Sequence, residues 1–172
     1  TAIEKTRRQQ EPVPPFPYAS EEVSFVNAKE NIRLAGTFTF PKGKAPLATV
    51  VLISGSGPQN RDEELMGHKP FLVLADYLTR NGIAVLRFDD RGCFASEGNF
   101  AAATSNEFAT DVEAAVAYLK TRKEVNKGKI GLIGHSEGGL IAPMVAVRNK
   151  DVNFIVLMAG PGIRGSEIML RQ

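Results

Sequence analysis

Polar and apolar residues alternate from Ile32 to Phe40, with Ile32, Leu34, Phe38 and Phe40 on one side and Arg33, Thr37 and Thr39 on the other. That period of two is the pattern of a half-exposed strand. With Val23 to Val26 and the turn-forming stretch Asn27 to Asn31 it predicts an antiparallel hairpin. After Pro46 the pattern changes. Leu47 to Ile53, Ile83 to Phe88, Lys129 to Ile133 and Phe154 to Ala159 are nearly unbroken apolar runs rich in Val, Ile and Leu, as in strands covered on both faces of a parallel sheet. Helical patterns fall between them. Pro70 opens the first, with Phe71, Leu74, Ala75 and Leu78 as its apolar stripe and Asn81-Gly82 as its stop. The second is predicted over Ser105 to Lys123, with Phe108, Val112, Ala115, Val116 and Leu119 inward. Its acidic residues Glu107, Asp111 and Glu113 cluster near the start, where the helix dipole favours negative charge. The third begins at the Ser136 turn and contains Pro143, which removes a backbone donor and bends it.

Strands and helices taking turns predict a doubly wound, mostly parallel α/β sheet with an N-terminal antiparallel hairpin. Pro12, Pro14, Pro15 and Pro17 make residues 1–20 an extended, Pro-rich lead-in, and residues 21–172 then form one core domain. The 172 residues, 43% of them apolar, suffice for one core, since a chain of this size buries roughly 70% of its unfolded surface. Lys5, Arg7 and Arg8 against Glu4 account for the net charge of +2, so the body is neutral and lacks the field that nucleic acid binding needs. The apolar runs fall far short of the ~20 residues that span a bilayer. Cys93 is the single cysteine, so no internal disulfide is expected, and the compartment stays open. Starting at Thr1 rather than Met, the chain reads as a processed or cut form.

The chemistry concentrates at Gly134-His135-Ser136-Glu137-Gly138-Gly139, a G-x-S-x-G placed directly between a buried strand and a helix. Such a turn needs glycines where strand and helix approach closely, and it thrusts the serine hydroxyl out of the sheet. Ser136 is therefore the candidate nucleophile. The first free amide of the following helix, that of Glu137, can stabilise an oxyanion formed when Ser136 attacks a carbonyl. A second donor is expected from Ser54-Gly55-Ser56-Gly57-Pro58-Gln59, after the first parallel strand, with the Ser56 amide preferred and Gly57 as the alternative. A dinucleotide-binding reading of Gly55 and Gly57 fails at Asn60, which stands where the third glycine belongs.

These segments, with Phe88-Asp89-Asp90-Arg91-Gly92 and Met158-Ala159-Gly160-Pro161-Gly162, make residues 47–162 resemble the amino-terminal portion of an α/β-hydrolase of the esterase and serine-aminopeptidase-like branch. Members of that branch read D-x-R-G-x-G-x-S after the second parallel strand, whereas Phe94 here replaces the second glycine before Ser96. The resemblance implies an acyl-serine mechanism without cofactor, in the order Ser, acid, His. Nothing after Ser136 supplies the last two: the only histidines, His68 and His135, precede it, and Asp151 and Glu167 do not follow the strand where the family keeps its acid. By the family's geometry, the His135 side chain turns into the packing beneath the elbow. His68, with Arg61, Asp62, Glu63 and Glu64, reads as a solvated loop rather than a metal site, and Cys93 as a packed or loop cysteine.

The expectation is an α/β-hydrolase whose carboxyl third lies outside this chain. The intact protein would hydrolyse small esters, and this part alone would be inactive. The uncovered Phe154 to Ala159 edge then invites a second copy or the later segment. A non-catalytic binding or assembly module, or a peptidase or acyltransferase of the same fold, stands as the alternative.

Overall fold

The computed structural model describes residues 8–43, 45–163, 166–167 and 170; residues 1–7 of the predicted lead-in lie outside the described residues. Strands β1 (Tyr18–Asn27), β2 (Ile32–Pro41) and β3 (Leu47–Ile53) precede α1 (Pro70–Arg80), β4 (Ala84–Phe88), α2 (Ser105–Thr121), β5 (Val125–His135), α3 (Gly138–Arg148) and β6 (Phe154–Met158). They form one six-stranded sheet in the order β1-β2-β4-β3-β5-β6. The hairpin pairs antiparallel and joins β4 antiparallel, whereas β4, β3, β5 and β6 run parallel. The mixed sheet and its N-terminal hairpin are those the periodicity predicts. Tyr18 to Ser20 of the predicted lead-in belong to the sheet: the Tyr18 ring is buried and its hydroxyl donates to Asp76 of α1 at 2.7 Å.

Alternation along β3 shows why its run is unbroken. Val51 and Ile53 enter a core with Leu86, Leu132, Val112, Val116 and Val145 beneath α2 and α3, while Val50 and Leu52 meet Val85, Ile133, Phe71 and Ala75 beneath α1. Both faces are buried, and each fully buried Leu or Val contributes about 1.5–3 kcal/mol relative to exposure.

Two sequence expectations change. β2 is not half exposed. Thr37 and Thr39 are as buried as Phe38, because Thr39 shares a hydroxyl hydrogen bond with Thr79 of α1 at 2.8 Å and Thr37 accepts from Arg61 at 3.0 Å. Asp111 does not simply complement the helix dipole either. It is buried in α2, where Arg91 donates to both its oxygens (Nε to Oδ2 at 2.7 Å, Nη2 to Oδ1 at 2.8 Å) and Asn27 of the hairpin adds a third bond at 2.7 Å. This pair ties the hairpin and the loop after β4 to α2. At the other end of the sheet, β6 is exposed along all five residues.

Candidate active site at the end of β5

β5 delivers the chain into a bend so tight that Ser136 takes φ +52°, a left-handed backbone that non-glycine residues adopt only under constraint. The constraint is visible on both sides. A Cβ on Gly134 would fall on the Gly138 carbonyl, and one on Gly138 would fall on the carbonyls of Ile53 and Ser54. Only glycine lets β5, α3 and the end of β3 converge there. The Ser136 N–H donates to the Met158 carbonyl at the end of β6 (2.9 Å), and its own carbonyl accepts from Gly139 at 2.9 Å. Ser136 and Glu137 are half-buried.

The Ser54–Gln59 loop lies against this bend. A Cβ on Gly55 would sit 3.1 Å from the Ser136 Cβ, so loop and bend are in van der Waals contact. Ser56 is exposed beside Gly55. Among the described residues, no acceptor takes the N–H of Ser56 or of Glu137. The structure thus brings together the loop holding Ser56 and the bend holding Ser136 and Glu137. It does not bring His68 there: that residue is exposed, paired through its backbone to Leu65 in a tight turn. Asp151 is bound to Lys120 at 2.5 Å, on the α2 side. Glu167 is exposed.

His135 differs from expectation. Its side chain is 40% exposed and is hydrogen-bonded, Nδ1 to Glu63 Oε1, at 2.8 Å. Glu63 is the residue the sequence reading misplaced. It is 5% exposed, not solvated, and the same oxygen accepts the Gly55 N–H at 2.7 Å. Its neighbours are clamped too. Arg61 grips Asp89 through Nε (3.1 Å) and Nη2 (2.8 Å) and also reaches Glu22, while Asp62 pairs with the buried Arg87 of β4. Burial works to raise the Asp89 carboxyl, but the hydrogen bonds from Arg61 prevail and hold it below the ordinary range. In a loop there is no periodicity to say which charges turn inward. The one available signal is the run of four charged residues directly after a glycine loop between strand and helix.

Asp90 is a second buried acid beneath the loop. Its carboxylate accepts from the Ser54 hydroxyl at 2.7 Å and from the Gln59 N–H at 2.9 Å, one bond at each end of the loop. Burial pushes its pKa up to about 6, and the charges of Asp111 and Glu137 add to the rise against those hydrogen bonds. These carboxyls share a small cavity of about 20 Å³, room for a single water molecule. Cys93 is packed, and burial, with Asp90 and Asp89 nearby, pushes its thiol up, away from the reactive thiolate. Among the described residues, no group of three or more His, Cys, Asp or Glu side chains is placed to hold a metal ion, and no helix is long and apolar enough to cross a membrane.

Comparison with known proteins gives a consistent picture. The family model for serine aminopeptidase S33 matches residues 67–171. Esterase EstD of Thermotoga maritima is 35% identical over 136 residues, 79% of this chain and 32% of that protein; the uncharacterised YfhR of Salmonella typhi is 28% identical over 73% of this chain and 40% of its own length. The chain therefore spans 32% to 40% of the length of these curated relatives. Among solved structures, a hypothetical protein of Pseudomonas aeruginosa superposes with a TM-score of 0.74 at 23% identity, covering 94% of this chain and 48% of that one. The esterase Pf2001 of Pyrococcus furiosus superposes with a TM-score of 0.70 at 23% identity, covering 90% and 58%.

Proposed function

The chain belongs to the serine aminopeptidase S33 family of α/β-hydrolases, and from that membership we propose that the whole protein is a serine hydrolase acting on small carboxylic esters. Ser136 Oγ attacks the ester carbonyl carbon, the carbonyl oxygen takes the charge, and the N–H groups of Glu137 and Ser56 stabilise it. The C–O bond to the leaving group breaks and the alkoxide departs as the alcohol with the proton given up by the Ser136 hydroxyl; water then cleaves the acyl-serine ester, returning a proton to Ser136 Oγ and releasing the acid. The observation that carries this reading is the left-handed Ser136 on a bend where neither flanking glycine has room for a side chain. An esterase among the curated relatives favours ester over amide substrates; the family's own description keeps an aminopeptidase as the second reading.

No histidine follows Ser136 in this sequence. Alone, the 172 residues would then retain at best the ~10³ to 10⁴ over water that an oxyanion hole and binding provide without a base.

The test pairs p-nitrophenyl acetate and butyrate with aminoacyl p-nitroanilides on the full-length protein. Ester hydrolysis is expected to dominate, and Ser136→Ala to lower kcat by about 10⁴ or more. Preferential anilide cleavage would favour the peptidase reading, and an active Ser136→Ala variant would remove the serine mechanism altogether.

A further inference from the structure

The proposed oxyanion hole draws its two donors from separate parts of the chain, Ser56 from the loop after β3 and Glu137 from the bend after β5. Their separation must be held to a fraction of an ångström for both to reach one oxygen. Glu63 Oε1 touches both parts. It accepts the N–H of Gly55, the residue before Ser56, at 2.7 Å, and the Nδ1–H of His135, the residue before Ser136, at 2.8 Å. A carboxylate only accepts, so this contact also fixes His135 as the tautomer protonated at Nδ1.

Glu63 is itself over-determined. It is 5% exposed and held at φ +52°, a conformation that persists in a non-glycine residue only when the surroundings impose it. Its N–H donates to the Asn60 carbonyl at 2.9 Å, and the Asp62 carbonyl accepts from Phe71 at the start of α1 at 3.1 Å. Arg61 and Asp62 on its N-terminal side are anchored to Asp89, just after β4, and to Arg87 within it. The carboxylate is thus mounted on the sheet, and both halves of the site hang from it. Gly55 completes the fit. A side chain there would meet Ser136 Cβ at 3.1 Å, Glu63 Oε1 at 3.4 Å and His135 Nδ1 at 3.4 Å.

We propose that Glu63 is a positioning residue for catalysis, one carboxylate oxygen that sets the spacing between the two oxyanion donors by holding Gly55 and His135 together. The proposal rests on the serine-hydrolase reading. It predicts an effect on the transition state rather than on ground-state binding, because the donors engage fully only when charge develops on the oxygen.

The test compares Glu63→Asp, Glu63→Gln and Ser136→Ala in the full-length enzyme, with 15N NMR of the His135 ring as a second readout. Asp is one methylene short and cannot serve both donors. Its kcat should fall 10- to 100-fold at nearly unchanged KM, below the ~10² to 10³ of deleting a donor outright, and His135 should lose its exclusive Nδ1–H signature. Gln keeps the length and an accepting oxygen, so it should recover most of the activity and the tautomer. A folded Glu63→Asp enzyme within twofold of the parent, a kcat loss matched by KM, or a Gln variant no better than Asp would each overturn the proposal. Failure of Ser136→Ala to abolish turnover would instead remove the reading beneath it.

Discussion

Among the side-chain-bearing residues that take the left-handed backbone usually left to glycine are Ser136 at +52°, Glu63 at +52° and Phe94 at +50°. The first two are held by contacts on every side. Phe94 is not, since it is 71% exposed, and its backbone is one that glycine adopts at less cost. Asp90 carries a different kind of stored cost. Burial raises its pKa from the ordinary 3.8 to about 6, so between those values the native state binds a proton that the unfolded chain has released. Its contribution to stability is therefore present at low pH and lost as pH rises toward 6 and beyond, on the order of 2–3 kcal/mol for a shift of this size. Asp90→Asn cannot ionise. Urea unfolding from pH 4 to pH 7 should show the parent losing stability relative to that variant as pH rises, and a constant difference across the range would contradict the account.

At the scale of elements, β6 is the strand exposed along its whole length. Phe154 to Met158 are 36–48% exposed, one edge is hydrogen-bonded to β5, and no strand among the described residues pairs with the other, the condition in which a strand recruits a partner. We expect the 172-residue chain alone to associate through this edge, with concentration-dependent mass in sedimentation velocity, and Val156→Lys to return it to a monomer. A parent that stays monomeric at high concentration would count against the edge as the cause. The run Phe154 to Ala159 was legible as a buried-type strand because apolar continuity does not depend on what covers it. Helix α1, with Pro70 at its start and Asn81 after its end, and the stripe of α2 were legible for the same local reason. The inward turn of Thr37, Thr39, Asp111 and Glu63 was not. Each is polar, and each is buried only because a partner distant in sequence, Arg61, Thr79, Arg91 or His135, satisfies it.

For the whole molecule, the parallel strands place the end of β5 between the loop after β3 and the end of β6. That is why the bend at Ser136 meets the Ser54–Gln59 loop on one side and the Met158 carbonyl on the other. The motif was legible because its residues are contiguous in sequence, even though Gly138 is imposed by the carbonyls of Ile53 and Ser54; the clamp at Glu63 joins residues far apart in sequence and exists only once the sheet has formed. The central claim is that this arrangement makes Ser136 a nucleophile. Peptide mapping by mass spectrometry after exposure of the full-length protein to a fluorophosphonate tests it most directly. The account predicts a single adduct, on the peptide containing Ser136, lost on prior denaturation and absent in Ser136→Ala. An adduct elsewhere, or scattered over exposed serines such as Ser56, would contradict it.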